Sequence, residues 1–300
     1  MERRGVRRRA LHVVAPKQIY FLAGLPRSGS TLLANILLQN PAIHVTATSG
    51  VCDMLVQVRN GWDRNDAFQA MDRATSEKVK GNVLRAMLQA YFEHVERPVC
   101  IDKNRYWAEF LEMGAELVGG RDRVKVLVTV RDLRDVTASF EKLYRKTSSL
   151  GQLPQEAAMA LKFKTALGRL QVFIDDAQPV GRAYNAIRDA VTRGWHDRMH
   201  FIDFADLTAY PVKTLEGIYR FLDLKPHAHD FSHVEQVTFE DDFVYGFKDL
   251  HVIRQKVEPL PPAWPQVYDD AVFQSPAWKT LESVAQFWKL YANRKASLAA

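Results

Sequence analysis

The sequence predicts an α/β protein built in three layers, a central parallel sheet with helices on both faces. Three observations carry this. Gln18 to Ala23 (QIYFLA) and Val124 to Val130 (VKVLVTV) are short apolar runs without polar alternation, the pattern of strands buried on both sides. Helix-periodic stretches separate such runs, which implies parallel strands joined by helical crossovers. A glycine-bracketed loop, Gly24 to Thr31, links the first strand to the first helix and gives the sheet a phosphate-loop character.

Taken in order, the first strand ends at Gly24. The first helix covers Thr31 to Gln39, with Leu32, Ile36 and Gln39 on one face and Asn40-Pro41 as its stop. Arg64 to His94 is rich in helix formers, Pro98 to Ile101 is a short strand, and Tyr106 to Val118 a helix. The central strand Val124 to Val130 is followed by Asp132 and Asp135, acids suited to the start of a helix that runs to about Lys146. Ser148 to Pro154 reads as a loop. Phe163, Leu167, Leu170 and Ile174 mark the packed face of a long helix, Met199 to Phe204 is a strand, and Leu215, Ile218, Phe221 and Leu222 face inward after Pro211. Residues 225–270 are irregular and proline-containing, and a last helix falls near Trp278 to Tyr291. With no repeat and no interdomain linker, 17–300 reads as one domain preceded by an arm, 1–16.

Of 300 residues, 47% are hydrophobic and 25% charged, enough to bury a core and too apolar for disorder. The net charge of +6 is misleading as a guide to partners, because Arg3, Arg4, Arg7, Arg8 and Arg9 against Glu2 place +4 in the arm and leave the rest nearly balanced. A solvated arm is expected, not a specific nucleic-acid surface. No window is apolar enough for a membrane span. Cys52 and Cys100 form no C-x-x-C pair, and no secretory h-region follows the basic start, so a reducing, cytoplasmic setting is the default.

Gly24 to Thr31 fits G-x-x-x-x-G-[ST]-T, with Ser30 where a nucleotide-triphosphate hydrolase has lysine. Glycines let backbone N–H groups converge on an anion, and the following helix adds its positive end. Arg27 supplies a charge inside the loop. VKVLVTV ends in Arg131, where such a hydrolase usually has a magnesium-binding aspartate. The site reads as one that holds an anion with arginines and amides and requires no metal. A tight strand-to-helix turn for the glycines, and an Arg131 paired with Asp132 or Asp135, are the plain readings.

FLAGLPRSGSTLL resembles the 5′-phosphosulfate loop of sulfotransferases that use 3′-phosphoadenosine 5′-phosphosulfate (PAPS), and VTVRDLRDVTASF resembles their 3′-phosphate motif. CIDKNRYW is similar to the strand-end segment that carries the family's lysine. HFIDFADLTAYPVKTLEGIYRFLDL is similar to the segment with the family's Tyr-Glu-Asp-Leu run. The resemblance covers about Lys17 to Leu224, with spacing closest to the tyrosylprotein branch. It implies a three-layer fold and transfer of the sulfuryl group of PAPS to a hydroxyl or phenol of a small molecule, glycan or peptide, leaving 3′-phosphoadenosine 5′-phosphate (PAP). Arg27, Ser28, Gly29, Ser30 and Thr31 would hold the phosphosulfate, and Arg131 and Ser139 the 3′-phosphate. Phe204 stands where the family has tyrosine and would pack near adenine. Lys103 would be catalytic, with Arg27 sharing the role, because fixed cations stabilise charge on the departing oxygen. Arg254 and Lys256, from the irregular segment, would close over the nucleotide as a lid.

The general base is absent from both family positions. Two residues after the lysine stands Arg105, and the glutamate of the tyrosylprotein branch falls on Thr48. His44, Asp53, Asp102 and Glu109 are substitutes in nearby segments. Asp53 is preferred, because Thr48 to Leu55 would lie on the acceptor side. His227, His229, Asp230 and His233 lack a metal-site pattern. Trp62, Trp107, Tyr106 and Phe110 would suit an apolar acceptor wall or the core. A small-molecule phosphate-loop kinase, an inactive nucleotide or polyanion-binding module, and a protein that merely retains the fold stay open, as does a homodimer.

Overall fold

Strand β1, Gln18–Gly24, shows why the sheet could be read from apolar runs. Ile19, Phe21 and Ala23 belong to one buried cluster, Tyr20 and Leu22 to another. Successive side chains of a strand point to opposite faces, so this division by parity means that both faces are covered. Strand β4 repeats it, Val126, Val128 and Val130 on the first side and Leu127 on the second. The computed structural model describes residues 16–148, 159 and 161–292. The basic arm, up to residue 15, and the predicted loop beyond Ser148 lie outside the described residues.

The elements run β1, α1 (Ser30–Leu37), β2 (Ile43–Val45), α2 (Val51–Trp62), α3 (Asp66–Gln69), α4 (Arg73–Tyr91), β3 (Val99–Lys103), α5 (Leu111–Val118), β4 (Val126–Val130), α6 (Leu133–Ser148), α7 (Ala166–Phe173), α8 (Pro179–Thr192), β5 (Met199–Asp203), α9 (Phe204–Ala209) and α10 (Pro211–Leu222). The sheet has the order β2-β3-β1-β4-β5 and every neighbouring pair is parallel. Leu33 and Ile36 of α1 pack with Leu215 and Ile218 of α10 on one face. On the other, Leu55, Leu84, Leu117, Val136 and Ile187 bring together α2, α4, α5, α6 and α8. This is the expected three-layer α/β fold.

Several boundaries differ from the sequence expectation, each for a local reason. The stretch Arg64 to His94, rich in helix formers, holds two helices, because Asn65 and Asp72 each cap a new start; Asp72 accepts from Thr75 N at 2.9 Å. Strand β3 runs on through Asp102 and Lys103, both buried and paired with β1. The helix expected from Tyr106 opens as a 3₁₀ turn, Arg105–Ala108, capped by Asn104. The long helix expected around Phe163 to Ile174 is the short α7, with Thr165 as its cap. The last one is divided into Pro276–Ser283 and Lys289–Ala292.

Residues 223–263 hold one 3₁₀ turn, Asp242–Tyr245, and otherwise no helix or strand. The segment is nonetheless tied down. Val234 N donates to Gln255 O at 2.7 Å and Val257 N to Phe231 O at 2.9 Å, closing it on itself. Asn35 Oδ1, on α1, accepts from Val237 N at 2.7 Å and Thr238 N at 3.1 Å. Among the described residues no helix is long and apolar enough to cross a membrane.

Candidate active site

The carboxyl ends of β1, β3, β4 and β5 carry Gly24, Lys103, Arg131 and Phe204 to one edge of the sheet. From β1 the chain goes first to β2 and β3 on one side, then to β4 and β5 on the other. The edge is therefore a topological switch point, where open parallel sheets bind ligands. A cavity of about 940 Å³ opens there, at the upper end of the range for ligand clefts.

The loop between β1 and α1 is held in shape by close packing. A Cβ on Gly24, at φ 146°, would stand 2.3 Å from Thr129 O, so β1 and β4 approach there as only glycine allows. Leu25 N donates to the same carbonyl at 2.9 Å. Arg27 itself is left-handed, at φ 59°. Ser28 is buried and its hydroxyl bonds to Thr129 Oγ1 at 2.8 Å, so of this residue only the backbone N–H is left for an anion. Gly29, Ser30 and Thr31 line the cavity.

Arg27 reaches across the loop, its Nε donating to Ser139 Oγ at 3.0 Å and its Nη1 to Leu250 O. Arg131 donates to Arg27 O at 3.4 Å and lies 3.9 Å from Asp135, whose other oxygen accepts from Ala263 N at 2.7 Å. Asp132 is taken by Arg134, at 2.7 Å. Burial, and then the neighbouring Arg131, push Arg27 down to about 10; burial also lowers Arg131, against the pull of Asp135. Both stay charged at neutral pH, so two guanidiniums stand together at the loop. Phe204 packs between Arg131 and Gly29. Its ring lies under Arg131, 4.6 Å from the guanidinium carbon, and a Cβ on Gly29 would meet its Cδ2 at 2.6 Å.

Lys103 ends β3 and is 6% exposed. Its Nζ lies 3.3 Å from Glu240 Oε2; burial lowers its pKa and Glu240 opposes this. Asn104 donates to Ser49 O at 2.7 Å and to Asp53 Oδ2 at 2.9 Å, which fixes the start of α2 against the strand end. Asp53 and Thr48 therefore line the same cavity as Lys103. The other base candidates do not. His44 sits in β2, Asp102 is buried under Trp107 Nε1 at 2.7 Å, and Glu109 pairs with Arg182 at 3.0 Å. Trp62 and Trp107 are core; Tyr106 lines the cavity, while Phe110 packs against the core.

The irregular segment forms a wall of the cavity. Arg254 and Lys256 line it, Lys256 with a partner in Glu258 at 2.7 Å. The same wall brings a group that the sequence reading missed: Glu240, Asp242 and His251, with His251 Nδ1 2.6 Å from Asp242 Oδ1 and 3.7 Å from Glu240 Oε2. Nothing in the run FEDDFVY or in LHVIR marks these residues, because the segment has no periodicity and their proximity is made only by its path over β3. Of the histidines noted above, His229 bonds through Nε2 to Tyr219 OH at 2.9 Å, and Asp230 accepts from Ser232 N at 2.7 Å.

A profile described as the sulfotransferase family matches residues 20–228, and the chain belongs to that family, the one whose members use PAPS. It is an enzyme of sulfuryl transfer. No curated protein sequence matches it significantly. Among solved structures, the sulfotransferase domain from the curacin biosynthetic pathway aligns with a TM-score of 0.51 at 14% identity, over 89% of this chain and 96% of that one, a likeness of fold. Mouse sulfotransferase SULT7A1 complexed with PAP aligns at 0.47 and 14% identity, over 89% and 88% of the two chains. Retinol dehydratase in complex with androsterone and inactive cofactor PAP aligns at 0.47 and 14%, over 90% and 81%.

Proposed function

We propose that the protein moves the sulfuryl group of PAPS to a hydroxyl or phenol of a small molecule, glycan or peptide, as a single domain over 17–300 and without a metal. The observation that carries this is the pair of half-buried guanidiniums, Arg27 and Arg131, with Ser139 bonded to the first and Phe204 beneath the second. A mononucleotide site needs one cluster of cations for its phosphates. A second arginine at the end of β4, with a serine eight residues further on in α6, suits a further phosphate, the feature that separates PAPS from ATP.

In this reading the backbone N–H groups of 28–31 and Arg27 hold the phosphosulfate, Arg131 and Ser139 the 3′-phosphate, and Phe204 packs by the base. Lys103 and Arg27 stabilise charge on the bridging oxygen as it departs. Arg254 and Lys256 cover the nucleotide. Two buried, unpaired cysteines suit a cytoplasmic setting.

Calorimetric titration with PAP, PAPS and Mg-ATP tests the reading. Binding of PAP and PAPS, with Mg-ATP much weaker, is the expected result. A preference for Mg-ATP, or no binding of PAP, would overturn it.

A further inference from the structure

The cluster of Asp242, His251 and Glu240 has the geometry of a proton-transfer site. Asp242 grips His251 twice, accepting from its backbone N–H at 3.0 Å through Oδ2 and lying 2.6 Å from ring Nδ1 through Oδ1. Glu240 Oε2 stands 3.7 Å from the same ring nitrogen and 3.3 Å from Lys103 Nζ, so one oxygen is bracketed by the imidazole and the lysine. Both carboxylates face Nδ1 and hold its proton there, which leaves the lone pair on Nε2. Nε2 has no partner among the described residues, and His251 lines the cavity. Glu240 and Asp242 do not line it.

We propose that His251 is the catalytic base, its Nε2 taking the proton of the acceptor hydroxyl, with Asp242 as the positioning residue that sets its tautomer. The proposal rests on the sulfuryl-transfer reading above. The acceptor oxygen forms a bond to sulfur as the bond from sulfur to the bridging oxygen of the 5′-phosphate breaks. The electron pair of that bond leaves on the phosphate oxygen of PAP, and the hydroxyl proton goes to Nε2 and then to water. Reactants and products balance as alcohol plus PAPS giving sulfate ester, PAP and one proton.

Asp53 is the weaker choice, because its carboxylate is already engaged by Asn104 and it is exposed. An imidazole is also better matched to proton transfer near neutral pH. Burial holds His251 below the usual imidazole value, Lys103 acts in the same direction, and Asp242 and Glu240 oppose them. The Tyr245 ring closes another side, 5.5 Å away. The neutral form is thus favoured at neutral pH, and the acid limb of kcat/KM is expected below the ordinary imidazole range.

His251→Asn keeps a donor for Asp242 and removes Nε2. With PAPS and phenol at mildly alkaline pH, the variant is expected to lose about 10²-fold or more in kcat, with PAP affinity within about twofold of the parent chain. With 4-nitrophenol, which is already ionised there, the loss is expected to be far smaller. Asp242→Asn should move the acid limb to lower pH. Equal losses with both phenols, or a variant within about threefold of the parent on phenol, would overturn the proposal. Nitrogen-15 NMR of the PAP-bound chain decides it even where neither phenol is turned over, since a proton on Nδ1 supports the assignment and a proton on Nε2 overturns it. Failure of the parent chain to bind PAP counts against the donor reading, not against the tautomer.

Discussion

Arg27 donates from Nε to Ser139 Oγ at 3.0 Å, a bond that joins the loop after β1 to helix α6 across 112 residues of chain. Arg131 then touches the loop from the other side, through Arg27 O at 3.4 Å. The proposed sites for the two ends of the donor are thus one connected network of charge.

Arg131→Ala should weaken PAPS about ten- to a hundredfold while leaving adenosine 5′-phosphosulfate, which lacks the 3′-phosphate, little changed; a bond to a charged group is worth about 1.5–3 kcal/mol. Calorimetry with both nucleotides reads the difference. Equal weakening of the two would remove Arg131 from the 3′-phosphate.

Lys103 has an observed ion-pair partner and a proposed catalytic role, which one substitution would confuse. Lys103→Ala removes the proposed charge at the departing oxygen, and it also strands the Glu240 carboxylate, whose side chain is 6% exposed. Breaking a buried pair costs about 3–5 kcal/mol. The single variant should therefore melt earlier and lose about 10²-fold in kcat. The double variant Lys103→Ala with Glu240→Gln should recover most of the melting temperature and none of the kcat. Recovery of both would make Lys103 a structural ion-pair partner alone.

Gly29→Ala places a methyl group in a left-handed backbone, φ 87°, with the Phe204 ring 2.6 Å away. The backbone term alone costs about 1–2 kcal/mol. Urea unfolding should show a larger loss than that, and Phe204→Ala in the same chain should return the part due to the ring. If Phe204→Ala returns nothing, the ring is free to move aside.

Burial raises Asp102 to about 6 from 3.8. The folded chain then binds more protons than the unfolded one between those values, so stability is present at low pH and is lost as pH rises through that window. The loss amounts to up to about 3 kcal/mol and persists above it. Asp102→Asn keeps an acceptor for Trp107 Nε1, so it should be more stable than the parent at pH 8 and lose that advantage near pH 4. Denaturant melts across this range give the answer; a variant equally unstable at both ends would contradict the shift.

The sheet was legible in the sequence because a strand buried on both faces must be apolar at every position, as Phe21 and Leu22 are. That rule fails where polar residues are buried for a reason. Asp102 and Lys103 continue β3, yet an apolar count stops at Ile101. Strand β2 is three residues long, too short to show a pattern, and α8 hides its packed face among Arg182, Asn185 and Arg188. In the site, Gly29 and Arg131 could be named because each closely follows the end of an apolar strand, and Ser139 only because VTVRDLRDVTASF resembles a family motif. Glu240, Asp242 and His251 were not, because their meeting with Lys103 depends on how a coil is laid across the sheet, and a coil has no repeat to read.

The way Asn35 holds Val237 and Thr238 bears on the order in which the molecule is made. These contacts join positions 202 and 203 residues apart, and the cavity wall continues to Gln266. Closing so long a loop is slow compared with forming local helices. A nascent chain that has emerged as far as α10 already carries the whole sheet and the phosphate loop, but no enclosed cavity. The cavity lining is therefore complete only when the chain has left the ribosome as far as Gln266, and until then the loop between β1 and α1 stands open to water.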